Sequence, residues 1–218
     1  MPASVFKQMP DKAPARTDSV AYMAARRQEL SRRTAGACSA DDATLRALLF
    51  DKLPRLLRSL SPARELFFFN EHYVVKPPQS AVEFRWHRDD DEQLAMCVHR
   101  DRLAPYVSVW CALDDVTEDN GAMRFVSLRA VSTAAESSSC ELSDDTQSEL
   151  ERHASAPVLV RAGSVVVFLS SVWHCSARND SSASRRAFYA QYSWEKITAS
   201  PNDASPLSFA IPCSNECR

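Results

Sequence analysis

His87 and Asp89 stand two residues apart in Phe84-Arg85-Trp86-His87-Arg88-Asp89. In an extended strand, residues two apart project from the same face, so an imidazole and a carboxylate can reach one point in space. That pair suits a divalent metal but leaves it short of protein donors. The best candidate for a third ligand is His174, in Val172-Trp173-His174-Cys175-Ser176, 87 positions further on. Two histidines and one carboxylate with open coordination positions make the facial donor set of non-haem iron(II) oxygenases. A His-x-Asp pair alone is a weak signal, so the neighbouring residues must decide.

Four acidic residues, Asp89-Asp90-Asp91-Glu92, follow His87 closely. By alternation Asp89 and Asp91 share its face and Asp90 points away. Asp91 falls beyond the expected strand end, which favours Asp89 and leaves the others to solvate a turn. His99 lies among charges and His153 in a polar stretch, so both are read as solvated. His72, inside an apolar strand, is read as a core or cavity-wall residue. An iron site that activates dioxygen needs two further electrons, commonly from a 2-oxo acid, whose distal carboxylate calls for a fixed guanidinium in a bidentate pair. Arg185 and Arg186 open a strand. Alternation groups Arg185 with Ala187, Tyr189 and Gln191, and Arg186 with Phe188, Ala190, Tyr192 and Trp194. A strand buried on one side aims only one of them at a cavity.

The elements that must position these residues come from a chain of 218 residues, enough for one domain with appendages. A 45% apolar fraction supports a core, and a net charge of −2 suggests neither nucleic acid nor a membrane surface as partner. No run approaches the ~18 apolar residues of a membrane span. Met1–Pro10 lacks an apolar signal region and the C-terminus lacks a peroxisomal ending, so a cytoplasmic location is expected. The seven scattered cysteines fit free thiols in a reducing compartment, and three unclustered glycines argue against a nucleotide-binding loop. Residues 1–16 read as a loose arm, and Thr17-Asp18-Ser19 caps a short helix to about Arg33. Ser39–Asp42 starts a packing helix whose Leu45, Leu48, Leu49, Leu53, Leu56, Leu57 and Leu60 form one stripe, kinked or divided at Pro54. Strands are expected at 66–75, 82–87, 106–113, 122–126, 158–160, 164–169 and 186–194. Helices followed by short strands predict an α+β chain built on an antiparallel barrel or sandwich. Residues 1–64 would pack on a core of 65–194, with a polar insertion at 128–156 holding a helix near 144–153. Residues 195–218 read as a wrapping tail.

Four blocks in this order resemble one family. They are Lys76-Pro77-Pro78 with Phe84–Asp89; Tyr106-Val-Ser-Val-Trp-Cys-Ala-Leu-Asp-Asp115; Asn120-Gly-Ala-Met-Arg-Phe-Val126; and Ala162–Phe168 with Trp173-His174-Cys-Ser and Arg185-Arg186-Ala. Between about Leu66 and Trp194 the chain resembles the phytanoyl-CoA dioxygenase-like branch of the Fe(II)/2-oxoglutarate-dependent dioxygenases. The resemblance implies a double-stranded β-helix (a jelly-roll, cupin-like barrel) and iron held by His87, Asp89 and His174. It implies 2-oxoglutarate anchored by Arg185, eleven residues after His174, with Trp110 and Ser176 near the co-substrate and His72 on its wall. Retention of Asp89 favours hydroxylation over halogenation, with O2 and a small-molecule or lipid-like substrate as partners. The sequence departs from the family after Val126, where a Pro-Gly-Ser-His turn gives way to Ser127-Leu128-Arg129 and the insertion. The alternative is a non-catalytic or metal-only cupin-type module on the same barrel.

Overall fold

The computed structural model describes residues 40–61, 65–90, 105–130, 142–195 and 211–213. The expected N-terminal arm and first helix, His99, Asp91, Glu92 and most of the tail lie outside them. The described residues divide into two compact units, one of 40–61, 65–73, 192–195 and 211–213, the other of 74–90, 105–130 and 142–191.

The first unit contains α1 (Ala40–Ala47), a π-helical turn (Leu48–Lys52) and α2 (Leu53–Leu60). The widened turn has a local cause. Pro54 has no N–H, and its ring would press on the carbonyl four residues back. A π turn immediately before it relieves that contact. The division expected at Pro54 therefore takes the form of a change of helix type, with the backbone staying helical through Ala47, Lys52 and Leu53. Leu49, Leu53 and Leu57, four residues apart, are buried, while Leu56 and Leu60 are exposed, so the buried stripe is narrower than the leucine pattern predicts. Strand β1 (Phe67–Lys76) contributes Phe68, whose ring meets those of Phe50 and Tyr192 edge-on at 5.3 and 5.5 Å. Tyr192 donates its hydroxyl to the Leu49 carbonyl at 2.7 Å. The short β8 (Ile211–Pro212) pairs with Phe67 and Phe68.

The second unit holds the remaining strands, which are antiparallel wherever their register is defined. One sheet places β5 (Val165–Leu169), β3 (Val107–Ala112) and β7 (Arg185–Ser193) side by side in that order. A second sheet runs β2 (Phe84–His87), β6 (His174–Ser176), β4 (Met123–Phe125). All six residues of β3 are buried, as the apolar run in its sequence requires. Trp110, Ala112, Met123, Ala187 and Tyr189 form a core together with Val166 and Phe168. The expected strand at 158–160 is reduced to isolated bridges, Val158 to Met123 and Val160 to Val116. The short β6 is an element the sequence reading did not separate. Helix α3 (Asp144–Arg152), inside the polar insertion, starts at Ser143, whose Oγ accepts from Thr146 N. Its one fully buried side chain, Leu150, packs with Trp86, Val126 and Trp173. The insertion thus braces the smaller sheet. No helix among the described residues is long and apolar enough to cross a membrane.

Candidate active site

Cross-strand pairing brings the histidines together. His87 and His174 are direct partners in the β2–β6 register, and directly opposed residues point to the same face. Their ring centroids are 4.1 Å apart. The 87-residue separation in sequence is closed by one strand pair. Asp89 arrives differently from the expectation, because β2 ends at His87 and Asp89 starts a helical turn. Its carboxylate still reaches the histidines, with Oδ1 3.7 Å from His174 Nε2. One ligand atom from each of the three residues lies within 4.8 Å of the others. Asp90 is half-buried and its backbone N–H donates to the Ser170 carbonyl.

Both imidazoles are held the same way. His87 Nδ1 meets the Arg85 carbonyl at 2.7 Å, and His174 Nδ1 meets the Val172 carbonyl at 3.0 Å. A carbonyl only accepts, so each Nδ1 carries the proton and each Nε2 keeps a lone pair for a metal. Burial and the neighbouring His87 bring the His174 pKa down to about 4, so its ring is neutral at physiological pH. Rings of Phe168 and Phe125 flank it at 4.8 and 6.0 Å.

Of the expected anion-binding residues, Arg185 and Trp110 come from the larger sheet and Ser176 from the smaller one. Arg185 is 1% exposed, while Arg186 points outward and is clasped by Asp114 through its Nε and Nη2. The alternation along β7 therefore separates the two arginines as the sequence suggests. Arg185 donates Nη2 to the Gly121 carbonyl at 2.8 Å and Nε to the Asn120 carbonyl at 3.4 Å. Its guanidinium lies 5.3 Å from the Trp110 ring centroid. Among the described residues its Nη1 is buried with no hydrogen-bond partner. Ser176 is buried two residues after His174, on the same side of β6. His72 lies on β1 in the first unit and is half-buried.

One residue the sequence reading took only as a strand end belongs with this group. Lys76 is fully buried, and its Nζ donates to Ser176 Oγ at 2.8 Å, to the Ser176 carbonyl and to the Ala177 carbonyl. Burial first, then the Arg185 charge, lowers its pKa from 10.5 to about 7. Among the described residues neither Lys76 nor Arg185 forms an ion pair with a carboxylate. Gly121 makes this packing possible. Its φ of +87° suits glycine, and a Cβ there would come within 2.6 Å of the Ala177 carbonyl and 3.0 Å of Lys76 Cδ. The available signal was position: Lys76 opens the first block of the family resemblance, but a lysine is rarely buried and was read as punctuation.

These features fit a divalent metal with an anionic co-substrate. Two imidazole nitrogens and one carboxylate suit iron(II). An orphaned guanidinium nitrogen, with a second buried basic group in the same unit, calls for a carboxylate. The sequence pattern of phytanoyl-CoA dioxygenase matches residues 6–187. The chain belongs to the phytanoyl-CoA dioxygenase family. Iron and 2-oxoglutarate are the metal and co-substrate of that family, whose members are oxidoreductases acting with O2, and the residues present fit both. Solved structures share the fold of this phytanoyl-CoA dioxygenase family member. SnoK, a non-heme alpha-ketoglutarate-dependent carbocyclase from nogalamycin biosynthesis, is 18% identical, with TM-score 0.61 over 92% of this chain and 89% of its own. EctD from S. alaskensis with bound Fe is 18% identical, with TM-score 0.55 over 91% of this chain and 75% of its own. EvdMO1 is 18% identical, with TM-score 0.52 over 81% of this chain, but the match spans only 44% of EvdMO1. Comparison with curated protein sequences finds no match.

Proposed function

We propose that the chain hydroxylates an unactivated C–H bond of an apolar small molecule on a double-stranded β-helix formed by residues 65–194. In this reading His87, Asp89 and His174 hold iron(II), and Arg185 anchors 2-oxoglutarate with Trp110, Ser176 and Lys76 around it. When bound, iron and 2-oxoglutarate together supply the oxidising chemistry, with one oxygen atom of O2 leaving in succinate, alongside CO2, and the other entering the substrate. The protein's part is to hold these groups in place and exclude water. Nδ1-protonated histidines keep their ligand lone pairs aimed inward, and Trp110 packs against the arginine.

The observation that carries the reading is the unpartnered Nη1 of the buried Arg185 in the same unit as the three-ligand cluster. A metal-only module would leave that cation buried without use, at considerable cost in desolvation. The substrate class rests on a different feature. An apolar cleft of about 470 Å³ is lined by Phe125, Leu128, Val158, Val166, Phe168 and Val172. Phe125 and Phe168 are also the rings packed on His174. Walls of this kind favour an uncharged hydrocarbon-rich substrate.

Anaerobic titration with Fe(II) and 2-oxoglutarate tests the first part, and a weak visible charge-transfer band is expected. Its absence would refute the oxygenase reading. A panel of apolar and charged candidate substrates, screened for coupled succinate release, tests the second. Stimulation by charged compounds alone would contradict the apolar assignment.

A further inference from the structure

The two oxygens of Asp89 have different surroundings. Oδ1 is the atom that stands 3.7 Å from His174 Nε2. Oδ2 accepts hydrogen bonds from both Ser108 Oγ and Tyr189 Oη. A carboxylate oxygen offers two in-plane lone pairs, so two hydroxyl donors occupy both. Ser108 is fully buried and Tyr189 is 5% exposed, so water does not compete effectively for those positions. The donors come from neighbouring strands, Ser108 from β3 and Tyr189 from β7. The ligand-bearing turn after β2 is thereby tied to the larger sheet at two points.

We infer that Ser108 and Tyr189 are positioning residues that restrict Asp89 to metal coordination through Oδ1 alone. The inference rests on the proposed iron site and goes beyond it, because it specifies how the carboxylate is used. An octahedral ion held by two imidazoles and one carboxylate oxygen keeps three positions open. Two-oxygen coordination by Asp89 would remove one of them and leave too few for both a chelating 2-oxo acid and dioxygen. Oδ2 has no lone pair left with which to do this while both hydroxyls are in place. The same two strands carry the co-substrate residues two and four positions away, Trp110 on β3 and Arg185 on β7. The sheet that orients the carboxylate therefore also sets the guanidinium.

Cobalt(II) is a suitable probe, because its visible d–d absorption reports coordination number without turnover. The full chain would be titrated anaerobically with cobalt(II) alone, with affinity measured by competition against a chelating dye. Four variants are compared: Ser108→Ala, Tyr189→Phe, the double replacement, and Ser108→Thr, which keeps a hydroxyl. Each single loss should weaken binding severalfold, and the double loss by about 10–100-fold. The cobalt spectrum of the double variant should change in shape and intensity as Oδ2 becomes free to bind. Ser108→Thr should retain the wild-type spectrum. Circular dichroism and melting of the metal-free proteins identify the variants that fold, and if the double variant does not, the two single variants decide by the same criteria. Folded hydroxyl-deletion variants with wild-type affinity and spectrum would overturn the inference. A wild-type chain that binds no cobalt would instead overturn the metal-site reading beneath it.

Discussion

The guanidinium of Arg185 rests over the indole of Trp110, 5.3 Å from its centroid, and each comes from its own strand of the larger sheet. A planar cation on an aromatic face has little freedom to turn. With Nη2 and Nε engaged by the Gly121 and Asn120 carbonyls, Nη1 is the nitrogen left over. The arginine is thus oriented before any ligand arrives.

Arg185→Ala should raise the 2-oxoglutarate concentration needed for half-maximal succinate release by on the order of 10- to 100-fold, the loss expected for a charged hydrogen-bonded pair. Arg186→Ala should stay within about twofold, because an exposed ion pair contributes little. Its partner Asp114, whose carboxyl is held low first by the Arg186 hydrogen bond, is committed to that outward-facing arginine. Equal effects from the two replacements would contradict the inward and outward assignment.

Asp89→Ala and His174→Ala should each abolish iron-dependent succinate formation. Binding to the folded state alone raises apparent stability by RT ln(1 + [L]/Kd), about 2.7 kcal/mol at a hundredfold excess over Kd. Anaerobic Fe(II) should therefore raise the melting temperature of the wild-type chain and leave that of Asp89→Ala unchanged. An equal shift in both would place the metal elsewhere.

Lys76 gives the protein a pH-dependent stability. Its pKa falls from 10.5 to about 7 on folding, chiefly through burial. Between those values the unfolded chain holds a proton that the folded chain has released. Stability due to this group therefore rises with pH across the window, and below about pH 7 the penalty for burying the ammonium is present in full. Urea unfolding of wild type and Lys76→Met should converge as pH rises from 7 towards 10. Parallel curves would show that the lysine titrates normally.

Leu150→Ala should destabilise the chain by about 2–5 kcal/mol, the usual cost of truncating a fully buried leucine. Thermal melting is the measurement. An unchanged midpoint would mean that α3 does not brace the smaller sheet.

Much of the metal cluster was legible from spacing, and the reasons are specific. His87 and Asp89 were paired by strand parity, yet Asp89 sits in a turn, so parity named the right residues through the wrong local geometry. The partnership of His87 with His174 depends on a register between strands 87 residues apart, which spacing alone cannot supply. The family resemblance implied the shared ligand role, and the strand pairing itself came only with the structure. The separation of Arg185 from Arg186 followed from alternation, and so did the placing of Tyr189 on the Arg185 face. That Tyr189 and Ser108 meet Asp89 depends on how β3 and β7 lie beside the turn after β2. The leucine stripe was read too broadly because a π turn shifts the helical phase, and local propensity does not reveal that shift.

The β2–β6 pair has a consequence for how the chain finds its structure. Its register shifts between Phe84 and His87, so the burial of Trp86 on one face, more than regular hydrogen bonding, holds the alignment. A slip of one residue would set Trp86 or Arg88 against His174, and neither can bind iron. Only the native alignment offers both imidazoles to one ion. A metal held by both imidazoles would therefore favour the native pairing, adding to the burial of Trp86 that a slip would reverse.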